Sequence, residues 1–317
     1  MKSTKRLRQV LEGLLARLGV LVIPRLPRGA VVRLARVIGS AACAVCRRDQ
    51  EVGRANLELA LGATHSREER DKILHGAFVT FAQLILDLFW FSRDQQRRLE
   101  EVVEVDDSCR FFLDHPPCIA LAAHFGNWEV MGARCAALGS PLTVVFAALE
   151  NPVIDELVAR LRRGSGQVVA EKTGVLRRLI RTLRDGGHIA VVLDQNTLPA
   201  DGGRFVNFFG SPAPMSMAVA SLSEKTSAPV VPTFCTRRPD GTYRVYHLPP
   251  LLMEQTETRE SFTQRLATVL EGEIRKDPEQ WLWMYKRWKF IPDDAEADRF
   301  PGYARRLHPG EKAAAAK

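Results

Sequence analysis

Three things are scarce in this 317-residue chain: acids near its start, paired cysteines, and long uninterrupted apolar runs. Residues 1–48 carry eleven lysines and arginines against one acid, Glu12, so this segment is +10 in a chain whose total is +8. Such a block points to an anionic partner, whether nucleic acid, phosphorylated substrate or membrane surface. The cysteines are scattered. Cys43 and Cys46 form a CxxC with no second pair, which argues against zinc and reads as reduced thiols in a cytosolic setting. A spanning helix needs roughly 20 mostly apolar residues. Glu12, Arg17, Arg33 and Arg36 interrupt the best candidates, so no transmembrane helix is assigned. No small-residue site follows a short apolar core, and no cleavable signal peptide is expected. Internal repeats are absent. So are a GxSxG elbow and any cysteine in a nucleophile motif.

What the N-terminus does have is helical periodicity. Leu7, Val10, Leu11, Leu14, Leu18 and Leu21 share one face, with Lys5, Arg8 and Glu12 elsewhere, until Pro24 and Pro27 break the pattern. A second segment sets Arg33, Arg36, Ser40 and Arg47 opposite Val31, Leu34, Val37, Ile38, Ala41 and Val45. Basic amphipathic helices of this kind lie in a bilayer interface, their arginine stems snorkelling toward anionic lipid headgroups. The competing reading is that both helices pack on the rest of the protein; the charge favours the membrane. Nucleic acid is not expected, because the basic segment lacks interleaved aromatics and no nucleic-acid motif occurs.

Beyond this region, "RANLELAL" (54–61) begins a polar helix and residues 67–91 read as a long helix with a strongly apolar second half. Short β-rich runs then alternate with helical stretches. The runs are "CIALAAH", "PLTVVFA", "GQVVA", "HIAVVLD" and "PVVPTFCT". The helices are expected at 128–138, 152–163, 174–185 and 214–226, with a last one at 259–276. "TYRVYHL" (242–248) reads as a late strand joined by a hairpin through "RPDGT". The alternation predicts an α/β fold with a mixed, largely parallel sheet flanked by helices. Three regions follow: 1–50, basic membrane-associating helices; 51–292, the α/β domain; 293–317, a tail.

His124 closes an apolar run at what reads as the carboxyl end of a strand, where α/β sheets bind ligands. Gly126 and Asn127 permit a tight turn, and Glu129 falls in the first turn of the next helix. The path can return the Glu129 carboxylate to one imidazole nitrogen, leaving the other facing the cleft as a general base. With no enzyme nucleophile in view, the base serves a substrate hydroxyl or amine attacking an activated acyl group, help worth roughly 100- to 10,000-fold. Backbone amides near Gly126 are candidate oxyanion donors. On spacing alone, a structural histidine remains the competing reading.

Several motifs occur in order. "AAHFGNWE" resembles the HxxxxE/D acyltransferase motif of the bacterial lipid A biosynthesis acyltransferase family, the lauroyl and myristoyl transferases. "NP" at 151–152, "ID" at 154–155 and Arg162 resemble that family's segment after its second strand. "VVLDQN" (191–196) is similar to its Asp-Gln motif, "VNFFGSPAPMS" (206–216) to its Phe-Gly-Pro loop, and "PEQWLWMYKRWK" (278–289) to its C-terminal signature. The resemblance spans roughly residues 10–292 and implies a glycerolipid-acyltransferase-like fold. It implies His124 as base with Glu129 as its partner, and a substrate site holding Gly126, Asn127, Arg162, Asp194 and Gln195. Arg162 is expected at the polar, phosphorylated part of the substrate. The donor implied is an acyl carrier protein thioester; no other cofactor and no metal are expected. The acceptor is a lipid A precursor, or alternatively another glycolipid, an aminolipid or a lysophospholipid. The place implied is the cytoplasmic face of the bacterial inner membrane, with peripheral or monotopic attachment or one inserted N-terminal helix. Trp281, Trp283, Arg287, Trp288 and Lys289 fit either a core stripe with snorkelling cations or an interfacial wall.

Overall fold

The computed structural model describes residues 2–145, 151–170 and 175–312; before Glu12, Gln9 is the only residue whose side chain is described. The N-terminal region is all helix: α1 (Lys2–Val22), α2 (Arg28–Val45), α3 (Arg47–Leu61) and α4 (Arg67–Trp90). A capping box starts α4, in which Ser66 and Glu69 each satisfy the other's backbone amide,. By length and composition α4 alone among the described helices could cross a membrane, yet 56% of its most apolar window is buried inside the protein. It is the core helix on which α2 lies.

That packing takes only Val31 from the expected apolar face of α2 and leaves Val37, Ile38 and Val45, the side read as turned to a bilayer, uncovered. The buried side is Val31, Val32, Ala35 and Gly39, while Val37, Ile38 and Val45 are exposed. Small residues win because the two backbones come close: a Cβ on Gly39 would lie 2.5 Å from the Cα of Val79. The first helix repeats the pattern. Gly13 and Gly19 of α1 face Val153 and Phe89, and Leu14, Leu15, Leu18 and Leu21 point outward. A globular surface helix normally turns its large apolar residues inward, so these leucines form an uncovered apolar face.

After α5 (Gln95–Val102) come β1 (Val103–Val105), α6 (Arg110–Asp114), β2 (Ile119–Ala122), α7 (Trp128–Ala137), β3 (Leu142–Val145), α8 (Pro152–Gly164), β4 (Val168–Ala170), α9 (Val175–Arg184) and β5 (His188–Val192). Next are β6 (Gly203–Phe208), β7 (Ser211–Ser216), α10 (Ala218–Thr226), β8 (Val230–Arg237), β9 (Tyr243–His247) and α11 (Arg259–Lys276). Among the described residues seven strands form one sheet in the order β1-β9-β8-β2-β5-β3-β4, parallel except between β8 and β9. The mixed, largely parallel sheet flanked by helices is thus the architecture. The end of the expected strand "PLTVVFA", the start of the helix at 174 and the last five residues lie outside the described residues.

Residues 206–216 depart from the expected loop. They belong to an antiparallel hairpin, β6 with β7, despite Pro212 and Pro214. A two-stranded ribbon has two free edges, and a proline without an N–H is tolerated where the strand faces outward. The tryptophans settle as core: Trp281, Trp283 and Trp288 are at most 2% exposed and pack with Phe208 and Phe209.

Strand alternation divides the core. Ile119 and Leu121 join the cluster with α9, α10 and α11, whereas Ala120 and Ala122 join the one with α2, α7 and the end of α4,.

Candidate active site

β2 and β5 run parallel in a fixed register: Ile119 faces Ile189 and Ala122 faces Val192. The ladder continues past their ends, where the Leu193 amide donates to the Ala122 carbonyl at 3.0 Å. Carried one step further, the register sets His124 beside Asp194, 70 residues on in the chain. The His124 Nδ1 lies 2.8 Å from Asp194 Oδ1. The backbone amide of His124 donates to Asp194 Oδ2 at 3.0 Å, and the Trp281 indole donates to the same oxygen at 2.7 Å. Asp194 is 2% exposed. Burial by itself would push its carboxyl up; the imidazole, the indole and the amide outweigh that and hold it below the usual carboxylate range,. An ionised carboxylate only accepts, so Nδ1 carries the hydrogen of this contact.

Nε2 faces outward. The Gln195 side-chain amide donates to it at 3.2 Å, and Trp128 stands edge-on to the imidazole with ring centroids 4.8 Å apart. The ring is one wall of an apolar cleft that also includes Phe81 and Leu84 of α4, Trp128 and Leu282. The segment of Gln280 to Leu282 roofs the turn: Gly126 donates to the Gln280 carbonyl at 2.9 Å, and Leu282 to the His124 carbonyl at 3.1 Å.

Gly126 takes φ +64°, and a Cβ there would stand 2.1 Å from the Cys235 carbonyl oxygen. Only glycine makes this turn without strain. The amides of Gly126 and Asn127 donate inward, to Gln280 and Cys235, so neither is free for the oxyanion role expected of that stretch. Asn127 is also corrected as a substrate contact: it is 1% exposed. Its Oδ1 caps α7 by accepting from the Val130 amide at 3.1 Å, and its Nδ2 donates to the Tyr243 hydroxyl at 3.0 Å. Gly126 itself lines the cleft.

Glu129 is not on the imidazole. It accepts from Nε of Arg162 at 3.0 Å and from the same guanidinium's Nη2, and Trp128 Nε1 donates to it at 3.2 Å. The expected His124–Glu129 contact is therefore replaced by two pairs, His124–Asp194 and Glu129–Arg162. The reason is geometric. After the turn at Gly126, α7 carries residue 129 toward α8, while the parallel strand next to β2 delivers a carboxylate to the histidine directly. Arg162 and Glu129 meet as a planar fork on a carboxylate, both largely buried,.

One group that sequence reasoning did not single out supports the turn. Asp87, fully buried on α4, takes Arg28 from the start of α2 and the hydroxyl of Tyr243 on β9, with Asn127 Nδ2 at 3.4 Å. An acid inside the apolar run from Phe78 to Phe91 was the available signal, since buried charges are paired. Burial pushes the thiols of Cys109 and Cys118 up to about 11 and that of Cys135 to about 12, and holds Cys235 well above its ordinary value; these four are poor nucleophiles at neutral pH,. Among the described residues no group of three His, Cys, Asp or Glu side chains is placed to hold a metal ion.

A histidine held by a buried carboxylate thus stands at the carboxyl edge of the largely parallel sheet, where α/β sheets bind ligands,. A family model described as bacterial lipid A biosynthesis acyltransferase matches residues 2–290, and the chain belongs to that family of acyltransferases. It is 26% identical over 284 residues to the lipid A biosynthesis palmitoleoyltransferase of Escherichia coli K12, covering 87% of this chain and 90% of that one. It is 25% identical over 281 residues to the lipid A biosynthesis lauroyltransferase of the same organism, covering 87% and 91%. Among solved structures, the 1-acyl-sn-glycerophosphate (LPA) acyltransferase of Thermotoga maritima aligns with a TM-score of 0.37 and 14% identity, over 79% of this chain and 98% of that one.

Proposed function

We propose that the protein transfers a fatty acyl chain from an acyl carrier protein thioester to a hydroxyl of a lipid A precursor, with His124 as general base and no covalent acyl-enzyme. The observation that carries this reading is His124 itself: Nδ1 is fixed on a buried carboxylate, Nε2 meets only the displaceable Gln195 amide, and the residue lines an apolar cleft. In the proposed reaction the acceptor hydroxyl displaces the Gln195 amide from Nε2 and gives its proton to that nitrogen as its oxygen attacks the thioester carbonyl. Asp194 stabilises the imidazolium that forms. The tetrahedral intermediate then collapses, the carbon–sulfur bond breaks, and the donor thiolate leaves with the proton from Nε2. Phe81, Leu84, Trp128 and Leu282 give the acyl chain an apolar wall. Arg162, held by Glu129, is assigned to the polar, phosphorylated part of the acceptor. The names of the relatives support the acceptor class.

The site of action in this reading is the cytoplasmic face of the bacterial inner membrane. The outward leucines of α1 and the exposed Val37, Ile38, Phe81 and Ile85 on α2 and α4 supply a monotopic contact,. The test is to incubate the purified protein with a radiolabelled acyl carrier protein thioester and a lipid A precursor in mixed micelles. Label moves to the lipid with the wild type and not with His124→Ala. Transfer retained by that variant contradicts the assignment of the base, and labelling of a lysophospholipid or aminolipid in place of the lipid A precursor overturns the acceptor.

A further inference from the structure

Helix α9 carries four arginines, Arg177, Arg178, Arg181 and Arg184, and all four are exposed. Three of them, Arg177, Arg181 and Arg184, fall at i, i+4 and i+7, one stripe of the helix. The opposite side is anchored by the buried Leu179 and Leu183. None of the four makes an ion pair among the described residues, and Asp185 is the one acid in the shallow groove beside them. The nearest acid on the neighbouring helix, Glu224 of α10, is already taken by Arg259.

This arrangement works against the stability of an isolated helix. Like charges three and four residues apart repel. Arg177 and Arg178 also lie in the first turn, where the helix dipole is already positive. A helix that serves only to cover the sheet gains nothing from this stripe.

Its position narrows the partner. α9 packs on β5, β3 and α10, whereas α1 packs on α4 and α8. Right-handed crossovers place α8, between β3 and the outer β4, and α9, between β4 and the inner β5, on opposite faces of the sheet,. The arginine stripe therefore faces away from the leucines of α1, and a flat bilayer seated on those leucines does not reach it. The helix joins β5 through the short turn 185–187 and so runs antiparallel to it. Its first turn, with Arg177 and Arg178, thus lies toward the carboxyl edge of the sheet that holds His124 and Asp194.

We propose that α9 is the docking face for an acidic protein that carries the acyl chain as a thioester, with Leu176, 39% exposed, as the apolar contact within the cationic rim,. The inference rests on the transfer reaction above and adds where its donor binds.

The test compares two donors of the same acyl chain on the full-length protein: an acyl carrier protein thioester, which is acidic, and the neutral N-acetylcysteamine thioester. In Arg177→Glu/Arg178→Glu/Arg181→Glu, KM for the carrier-protein donor is expected to rise at least about tenfold. For the neutral donor kcat/KM is expected to stay within about twofold. Added salt weakens the carrier-protein donor in the wild type and narrows the gap. Direct binding of the carrier protein, measured by calorimetry, separates the two claims. Binding that the triple variant loses, without transfer by the wild type, supports docking and sinks the transfer reaction. Transfer from the carrier-protein donor that the triple variant leaves unchanged sinks docking alone. A variant that keeps carrier-protein binding but leaves anionic vesicles identifies α9 as a membrane contact and overturns the proposal.

Discussion

His124 and Asp194 stand 2.8 Å apart because two parallel strands end side by side in a register that pairs each residue of β2 with its counterpart on β5. Glu129, five residues from the histidine, is turned away onto Arg162. The two carboxylates should then be separable by mutation. Asp194→Asn leaves the imidazole without an anion to orient and stabilise it, and kcat is expected to fall by roughly 100- to 10,000-fold. Glu129→Gln keeps kcat within about tenfold while costing about 2 kcal/mol of stability, since Arg162 loses its charged acceptor. Steady-state kinetics and urea melts on the two variants check both statements.

Gly126 is where the turn is most constrained. Alanine at this position adds a Cβ 2.1 Å from the Cys235 carbonyl oxygen in a left-handed conformation. Gly126→Ala is expected to lose about 3 kcal/mol or more. Transfer should fall even at temperatures where the protein stays folded, because His124 and α7 are re-aimed. Denaturant unfolding together with activity at low temperature measures each part.

The polar core beneath the turn is a second point of failure. Asp87 is fully buried and receives both Arg28 and the Tyr243 hydroxyl. Asp87→Asn leaves a largely buried guanidinium uncompensated, and a loss of about 3–5 kcal/mol is expected in equilibrium unfolding.

His247 makes stability depend on pH. It is buried against Phe112, and burial pushes its imidazole from the ordinary 6.5 down to about 4, with Asp106 pulling upward and His188 adding to the drop. Between those values the unfolded chain binds a proton that the folded chain does not. The contribution is therefore complete above 6.5 and is lost as pH falls toward 4, about 3 kcal/mol in all. Urea midpoints measured at pH 7 and pH 4.5 should fall in that direction, and His247→Gln should flatten the slope.

The uncovered face of α1 predicts a binding phenotype. Leu14→Gln/Leu18→Gln/Leu21→Gln removes three outward side chains and leaves the Gly13 and Ala16 contact side in place. Partition onto anionic vesicles is expected to drop at least about 100-fold with circular dichroism unchanged. Vesicle flotation reads it.

Most of the scaffold is legible in the sequence. The helices expected at 67–91, 152–163 and 259–276 follow from the residue pattern, and the alternation of short β-runs with helices is enough to give a largely parallel sheet. His124 is legible too, as a polar residue ending an apolar run. Its partner is not. Glu129 is near in the chain, whereas Asp194 is near through strand register, and register is a tertiary property that a single chain's pattern does not encode. The side of α2 that packs on α4 is not legible for a related reason: hydrophobicity selects the large residues, but close approach to α4 selects Val31, Ala35 and Gly39. The hairpin at 203–216 was hidden by two prolines that a ribbon edge tolerates.

The most direct test of the His124–Asp194 assignment is the nitrogen and proton NMR spectrum of the protein with labelled histidine, read for the Nδ1–H of His124. An imidazole hydrogen held on a buried carboxylate resonates downfield of the backbone amides and is protected from exchange with water. The account predicts this signal in the wild type and in Glu129→Gln, and its loss in Asp194→Asn and His124→Ala. A signal that survives Asp194→Asn and disappears in Glu129→Gln contradicts it.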